Sequence, residues 1–92
     1  MYYVYVLRIK KTGWHYIGQT QNLVKRLKKH SRGETRSMKN RGEFEVVYVE
    51  ECSSRINAMR REKEIKSYKS GEALKKLLSN YSKDKIDAGP VG

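Results

Sequence analysis

The chain has 92 residues, enough for one small domain with one core, and its single cysteine excludes an internal disulfide framework. It carries 21 Lys or Arg against 10 Asp or Glu, a formal net charge of +11. That excess favours nucleic acid first and an anionic membrane surface second as partner, although a merely soluble basic protein would share it. With no zinc-type Cys/His spacing, signal-peptide core or membrane-length apolar run, we expect a reduced, soluble, cytoplasmic domain.

The first part of the chain predicts a β-hairpin followed by a helix. Residues 2–9 are β-branched, aromatic or aliphatic almost throughout, which is typical of a strand buried on both faces. A glycine-ending turn at 10–13 leads into residues 14–19, the predicted second strand of an antiparallel hairpin. Thr20 or Asn22 can cap the next helix. The apolar stripe of this helix consists of Leu23, Val24 and Leu27.

The second part predicts a basic loop, a third strand and two more helices. The loop covers residues 31–43, and the strand covers 44–49. Ser53 or Ser54 caps a helix that runs to about Tyr68. Apolar residues repeat at helical spacing in a third helix, namely Ala73, Leu74, Leu77, Leu78 and Tyr81.

These elements predict an α+β fold of order ββαβαα, in which a small three-stranded antiparallel sheet is flanked by helices. Sequence order alone does not determine the order of the strands in the sheet. No repeat or long linker divides the chain. We therefore expect one domain over residues 1–81 and a flexible C-terminal tail over residues 82–92.

Arg26 and His30 are the first candidate functional residues. They lie four residues apart on the first predicted helix and therefore on one row of its surface. At about 100° per residue they border the apolar stripe, where the helix meets the sheet. A solvated basic face accounts for Arg26 and the neighbouring lysines, but less well for a histidine at the edge of the core.

Glu62 is the second candidate. Ala58 and Ile65 lie four residues before and three residues after it, so Glu62 borders the buried face of its helix. A carboxylate at that position needs a partner or a metal, because burying it unpaired is costly. An ion pair with a neighbouring Arg or Lys is the simpler interpretation.

Tyrosines mark both strands of the hairpin. Tyr3 and Tyr5 share one face of the first strand because alternate residues do, and Tyr16 lies on the second strand. Each could be an ordinary core aromatic residue whose hydroxyl reaches water. A phenol becomes a base only if nearby positive charge lowers its pKa from the ordinary value of about 10.

Together these segments resemble the GIY-YIG nuclease superfamily, in particular small stand-alone members related to the N-terminal nuclease domain of the excision-repair subunit UvrC. Residues 3–5, Tyr-Val-Tyr, stand at the first motif, and residues 16–18, Tyr-Ile-Gly, stand at the second. Residues 18–30 resemble the segment after the second motif, and residues 60–66 resemble the metal-binding helix. The resemblance spans about residues 2–80.

The resemblance implies a divalent-metal-dependent endonuclease that hydrolyses DNA phosphodiester bonds, in DNA repair or recombination. It implies that Glu62 holds Mg²⁺ or Mn²⁺ and that Tyr5 or Tyr16 takes the proton of the attacking water. Arg26 would stabilise charge on the phosphate, and His30 would orient the water or relay its proton.

Two positions depart from the family pattern. Tyr3 replaces the glycine of the first motif, which we expect to alter local packing more than chemistry, because Tyr5 is kept. Asn80 is the nearby candidate for an asparagine that many members carry after the metal-binding helix.

Residues 21–41 contain eight Lys or Arg against Glu34 alone, and we expect this segment to bind the DNA backbone. Besides Arg26, the basic residues are Lys25, Lys28, Lys29, Arg32, Arg36, Lys39 and Arg41. Nothing resembles a base-reading motif, so sequence preference should be weak. Two alternatives stay open: a non-catalytic nucleic-acid-binding domain of the same fold, and a nuclease subunit that cuts only with a protein partner.

Overall fold

The computed structural model describes residues 1–33, 42–69, 71–79 and 81. It confirms the predicted α+β fold, with a three-stranded antiparallel sheet and helices in the order ββαβαα. The elements are β1 (Tyr2–Ile9), β2 (His15–Thr20), α1 (Leu23–Ser31), β3 (Phe44–Cys52), α2 (Arg55–Lys66) and α3 (Glu72–Ser79). Within the described ranges, no helix has the length and apolar character needed to cross a membrane.

β1 is the central strand of the sheet, whose order is β2-β1-β3, and both neighbours run antiparallel to it. Residues 4–7 are completely buried, which confirms the prediction of a strand covered on both faces. Val4 and Val6 pack in one cluster with residues of α2 and α3, and Tyr5 and Leu7 pack in a second cluster with residues of α1. The continuous apolar run of β1 therefore serves two cores, one on each side of the sheet.

A glycine at the hairpin turn allows β1 and β2 to pair. Ile9 N–H donates to the Trp14 carbonyl at 2.8 Å, and Gly13 N–H donates to the Ile9 carbonyl at 2.7 Å. Gly13 has a φ of +78°, which L side chains rarely adopt. β2 begins at His15, one residue later than predicted, and ends at Thr20, one residue later.

The helix caps settle two alternatives that the sequence left open. Asn22 caps α1, because its Oδ1 accepts the Lys25 N–H at 3.0 Å, whereas Thr20 Oγ1 accepts the Asn22 N–H. Ser54 caps α2 by accepting the Asn57 N–H at 3.2 Å.

Three predicted boundaries were wrong. β3 continues to Cys52 rather than ending at 49, because Glu50 and Glu51 still pair with β1. α2 ends at Lys66, before Tyr68, and α3 ends at Ser79, before Tyr81. The predicted tail over 82–92 lies outside the described residues.

Candidate active site

Tyr5 lies over Gly18, its partner on β2. The two residues face each other in the β1–β2 register. A Cβ on residue 18 would lie 2.6 Å from the Tyr5 hydroxyl and 2.8 Å from its Cζ, closer than real Cβ atoms approach other atoms. Glycine therefore leaves the space through which the buried Tyr5 ring extends across β2.

α1 brings His30 to the end of the Tyr5 ring. Leu23 and Leu27 pack against the same cluster as Tyr5, and residue 30 lies on the same helix face as these two leucines. His30 is consequently 2% exposed, and its Nε2 lies 2.8 Å from the Tyr5 hydroxyl, in hydrogen-bond contact. His30, predicted to lie with Arg26 at the edge of the helix stripe, is therefore buried and makes a polar contact with the sheet.

Tyr16 completes an aromatic cluster around this contact. Its ring centroid lies 6.2 Å from that of Tyr5 and 5.2 Å from that of His30, which it meets edge-on. Phe44, the first residue of β3, packs edge-on against His30 at 6.2 Å. Sequence reasoning missed Phe44, because its proximity depends on the pairing of β3 with β1 opposite Ile9.

Burial sets the protonation of the Tyr5–His30 pair. Burial, and then the neighbouring Tyr16, raise the pKa of the Tyr5 hydroxyl well above its ordinary value, against an opposing effect of Arg26. Burial, and then Arg26, lower the pKa of His30. The lowered tyrosine pKa that the sequence analysis required of a base is therefore not found at Tyr5. At neutral pH the pair consists of a protonated phenol and a neutral imidazole.

Arg26 lies one helical turn before His30 and is half-buried. Its charge acts on the pKa values of both Tyr5 and His30. The guanidinium is therefore close to the aromatic cluster, as its predicted position at the edge of the helix stripe requires. It places a permanent positive charge beside the two neutral groups.

Glu62 lies on α2, whose buried residues pack on the opposite face of the sheet from those of α1. Its side chain is 20% exposed, and its charge contributes to raising the Tyr5 pKa, the smallest of the effects on that hydroxyl. Its Oε2 also lies 2.7 Å from Lys66 Nζ, so the ion pair considered from the sequence is present. An i,i+4 pair on a helix contributes only about 0.3–0.5 kcal/mol to stability.

Glu62 is the one acidic member of the predicted site. Among the described residues, no group of three or more His, Cys, Asp or Glu side chains could enclose a metal ion. A single carboxylate fits a hard cation such as Mg²⁺, which keeps several waters and takes its remaining ligands from substrate phosphates. The donor chemistry therefore suits Mg²⁺ or Mn²⁺ and does not suit a structural zinc site.

The predicted DNA-binding residues fall into two groups. Lys25, Lys28, Lys29 and Arg32 are exposed on or just after α1. In the described part of the chain, no carboxylate pairs with the three lysines. Arg36, Lys39 and Arg41, together with Asn80, lie outside the described residues.

A second polar network lies away from this site, between β3 and α2. Arg61 Nε donates to Glu50 and Arg61 Nη1 donates to Glu64, both at 3.0 Å, and the Tyr48 hydroxyl also donates to Glu50. Glu50, Arg61 and Glu64 border an open pocket of about 360 Å³. The network pairs Glu64, the other acidic residue of α2, with Arg61, and Glu62 is not part of it.

Comparison with known proteins identifies the family of the chain. The family model of the GIY-YIG catalytic domain matches residues 1–75. The chain is 39% identical over 75 residues to a UPF0213 protein of Oceanobacillus iheyensis, covering 80% of this chain and 86% of that protein. It is 36% identical over 77 residues to a UPF0213 protein of Staphylococcus haemolyticus, covering 83% and 93%.

The structure is similar to the solution NMR structure of a UPF0213 protein from Bacillus halodurans. The TM-score is 0.56 at 33% sequence identity, and the match covers 99% of this chain and 90% of that one. The chain therefore belongs to the GIY-YIG family of nuclease domains. Relatives of the chain include small stand-alone UPF0213 proteins, a name that specifies no activity.

Proposed function

We propose that this chain is a divalent-metal-dependent endonuclease that hydrolyses DNA phosphodiester bonds. The observation that carries the proposal is a buried contact between a tyrosine and a histidine, with three more side chains that act on this pair through ring packing or through charge. These side chains are Tyr5, Tyr16, Arg26, His30 and Glu62. Phosphodiester hydrolysis requires a proton acceptor for water, a cation for the phosphate and a ligand for a metal, and this set supplies all three.

The Tyr5–His30 pair is the proposed route for the proton of the attacking water. Tyr5 is protonated before reaction because burial raises its pKa, so it must lose its own proton as it accepts another. Neutral His30 can accept that proton through Nε2, which lies 2.8 Å away. Tyr16, whose ring packs against the same imidazole, is the other candidate base.

Arg26 is proposed to stabilise the negative charge that develops on the phosphate. Its positively charged guanidinium can donate two parallel hydrogen bonds to phosphate oxygens. A positive group already in place at a partly dehydrated site stabilises a transition state without reorganisation. Arg26 would therefore act mainly on the rate of cleavage rather than on DNA affinity.

Glu62 is proposed to hold the Mg²⁺ or Mn²⁺ ion. When bound, the ion would neutralise phosphate charge and lower the pKa of a coordinated water. Lys66 Nζ lies 2.7 Å from the same carboxylate. When no metal is bound, the positive charge of Lys66 therefore compensates the negative charge of Glu62. The flexible lysine side chain, 56% exposed, can move into solvent when the carboxylate takes a metal.

DNA is the proposed partner, held through its phosphates by the exposed basic residues of α1. Lys25, Lys28 and Lys29 lie on the helix that also carries Arg26 and His30. A backbone held along this helix would bring a phosphate to the aromatic cluster. A place in DNA repair or recombination is supported by the family resemblance alone.

Nicking of supercoiled, branched and single-stranded DNA with Mg²⁺, Mn²⁺ or EDTA tests the proposal. We expect metal-dependent cleavage by the parent protein and none by Glu62→Gln, which keeps the shape of the side chain and removes its charge. Glu72→Gln is the matched control, because Glu72 lies exposed on α3 and should leave cleavage unchanged. If the parent protein cuts none of these substrates with any metal, the independent-nuclease proposal is wrong.

Calorimetric titration with Mn²⁺ in the absence of DNA gives a readout that does not depend on cleavage. Glu62→Gln should weaken Mn²⁺ binding, and Glu72→Gln should not. Equal Mn²⁺ affinity in both variants and the parent would remove Glu62 from the metal site and leave it as the partner of Lys66.

A further inference from the structure

Trp14 is the one tryptophan of the chain, and 62% of its surface is exposed. Its partner across the hairpin, Ile9, is 3% exposed and belongs to the core. A large aromatic ring that the core does not bury is a candidate binding surface.

The hairpin register places Trp14 beside the candidate active site. The hydrogen bond from Ile9 N–H to the Trp14 carbonyl extends the β1–β2 pairing by one residue beyond Arg8 and His15. Alternate residues of a strand share a face, so Trp14 lies on the face of Tyr16. Two residues separate their Cα atoms by about 7 Å along the strand.

The turn next to Trp14 carries two lysines. Lys10 Nζ lies 3.9 Å from a carboxylate oxygen of Glu43, and both side chains are mostly exposed, so this ion pair is weak. Lys11 is exposed, and no carboxylate in the described ranges pairs with it. Ammonium groups beside an exposed indole suit a ligand that presents phosphates next to flat rings, as a nucleic acid does.

We propose that Trp14 is a stacking site for an unpaired base adjacent to the phosphate that the enzyme cleaves. The position of that phosphate rests on the proposed function, since it is set by the Tyr5–Tyr16 cluster. A base within a continuous duplex is stacked on its neighbours and cannot present its face to the indole. The base at Trp14 must therefore belong to a single strand, a loop, a flap or a frayed end.

The proposal defines a substrate class. Stacking is tolerant of base identity because every base has a π-face, so Trp14 adds preference for DNA structure and no preference for sequence. DNA with unpaired nucleotides beside the cleaved bond should bind more tightly than continuous duplex. Lys10 and Lys11 would hold the phosphates that flank the stacked base.

Intrinsic fluorescence tests this directly, because Trp14 is the one indole that can respond. The full chain is titrated in EDTA, which prevents cleavage, with a single-stranded oligonucleotide, with the same sequence as duplex, and with anionic phospholipid vesicles. We expect strong quenching by the single strand and little by the duplex. A series of single strands, each with an abasic site at a different nucleotide, is then compared. Quenching should be weakest for the strand that lacks the base that stacks on Trp14.

A pair of variants separates stacking from general apolar contact. Trp14→Ala should lower affinity for labelled single-stranded DNA about fivefold or more and change duplex affinity little, and Trp14→Phe should restore much of the loss. Ile56→Ala is the matched control, because Ile56 is 63% exposed on α2. Circular dichroism of each variant checks that the fold is kept.

Equal quenching by single strand and duplex, or equal loss of affinity for both in Trp14→Ala, would overturn the stacking site. A fluorescence response to vesicles without a response to single-stranded DNA would overturn it in favour of a membrane surface. Failure of the proposed function looks different: Trp14 fluorescence would respond to single-stranded DNA, and the parent protein would cut no DNA with any metal.

Discussion

Tyr5 and Gly18 face each other across β1 and β2, and the Tyr5 hydroxyl occupies the space that a side chain at position 18 would need. This relationship links the two sequence motifs physically. The tyrosine of the first motif can reach His30 on α1 because the second motif supplies a residue without a Cβ. The glycine therefore contributes to the site by leaving room.

Gly18→Ala should consequently disturb the site rather than the strand alone. The added Cβ would lie 2.6 Å and 2.8 Å from atoms of a ring that is completely buried and has little freedom to move. We expect a loss of unfolding free energy of roughly 1–3 kcal/mol, typical of overpacking in a core. Urea unfolding measures this loss, and cleavage by the remaining folded protein should also fall because Tyr5 is displaced from His30.

A double-mutant cycle with Tyr5→Phe provides the control. Removing the Tyr5 hydroxyl removes the atom that the new Cβ would approach most closely, so the combined variant should lose less stability than the sum of the single losses. Strictly additive losses would show that Gly18→Ala acts through something other than Tyr5.

His30 should make the stability of the protein depend on pH. Its pKa in the folded protein is lowered by burial and by Arg26, whereas in the unfolded chain it has its ordinary value of about 6.5. Below that pH the unfolded chain binds a proton that the folded protein does not. The contribution of neutral His30 to the unfolding free energy is therefore complete above about pH 6.5 and is lost as pH falls. The slope is at most about 1.4 kcal/mol per pH unit for this histidine.

Urea unfolding at a series of pH values from about 7.5 to about 5 measures this effect. His15 must be controlled, because burial and Arg8 lower its pKa in the same direction. His30→Gln and His15→Gln should each flatten the curve, and the double variant should flatten it most. A His30→Gln curve that runs parallel to that of the parent would contradict the protonation state assigned to the Tyr5–His30 pair.

The basic face of α1 should determine how DNA affinity depends on salt. Lys28 and Lys29 are exposed and lack carboxylate partners in the part of the chain that is described. Replacing both with Ala should weaken duplex binding and reduce the slope of log affinity against log salt by about 0.9 for each phosphate that the protein no longer neutralises.

The matched control is Lys75→Ala with Lys76→Ala, which removes the same charge from α3. Residues of α3 pack on the opposite face of the sheet from those of α1. Anisotropy titrations at several salt concentrations compare the two. Identical slopes for the two double variants would show that net charge, and not this face of α1, controls binding.

Replacing Arg36, Lys39 and Arg41 together tests the remaining predicted residues in the same way.

Arg26→Ala should separate a role in the reaction from a role in binding. Arg26 is half-buried beside the cluster, so its loss should cost little stability, comparable with surface substitutions. Cleavage should slow by orders of magnitude while DNA affinity falls only slightly, because the guanidinium acts on charge that appears in the transition state. Arg55→Ala, which removes an exposed arginine at the start of α2, should change neither quantity much.

Local patterns predicted most of the fold. The unbroken apolar run of β1 is explained by its central position, and the spacing of Leu23, Leu27 and His30 placed one face of α1 on the sheet. Glu50 and Glu51 misled the prediction of where β3 ends, because charged residues look like a strand terminus. They continue the ladder at an edge strand, where Glu50 is paired with Arg61.

The site was predicted as a set of residues but not as a geometry. Sequence spacing could place Arg26 and His30 on one helix row, yet it could not show that His30 would be buried against Tyr5. That contact depends on which strand lies at the centre of the sheet, which sequence order leaves open. The effect of the Glu62 charge on the pKa of Tyr5 likewise depends on how α2 packs on the sheet.

The cleavage rate and DNA affinity of Tyr5→Phe, measured on the same preparation with Mg²⁺, test the central claim most directly. The substitution keeps the ring that packs over Gly18 and removes only the hydroxyl that contacts His30. We predict a folded protein, somewhat less stable by about 1 kcal/mol, that binds DNA nearly as well as the parent and cleaves it orders of magnitude more slowly. Cleavage at the parental rate would contradict the claim that the Tyr5–His30 pair carries the proton of the attacking water.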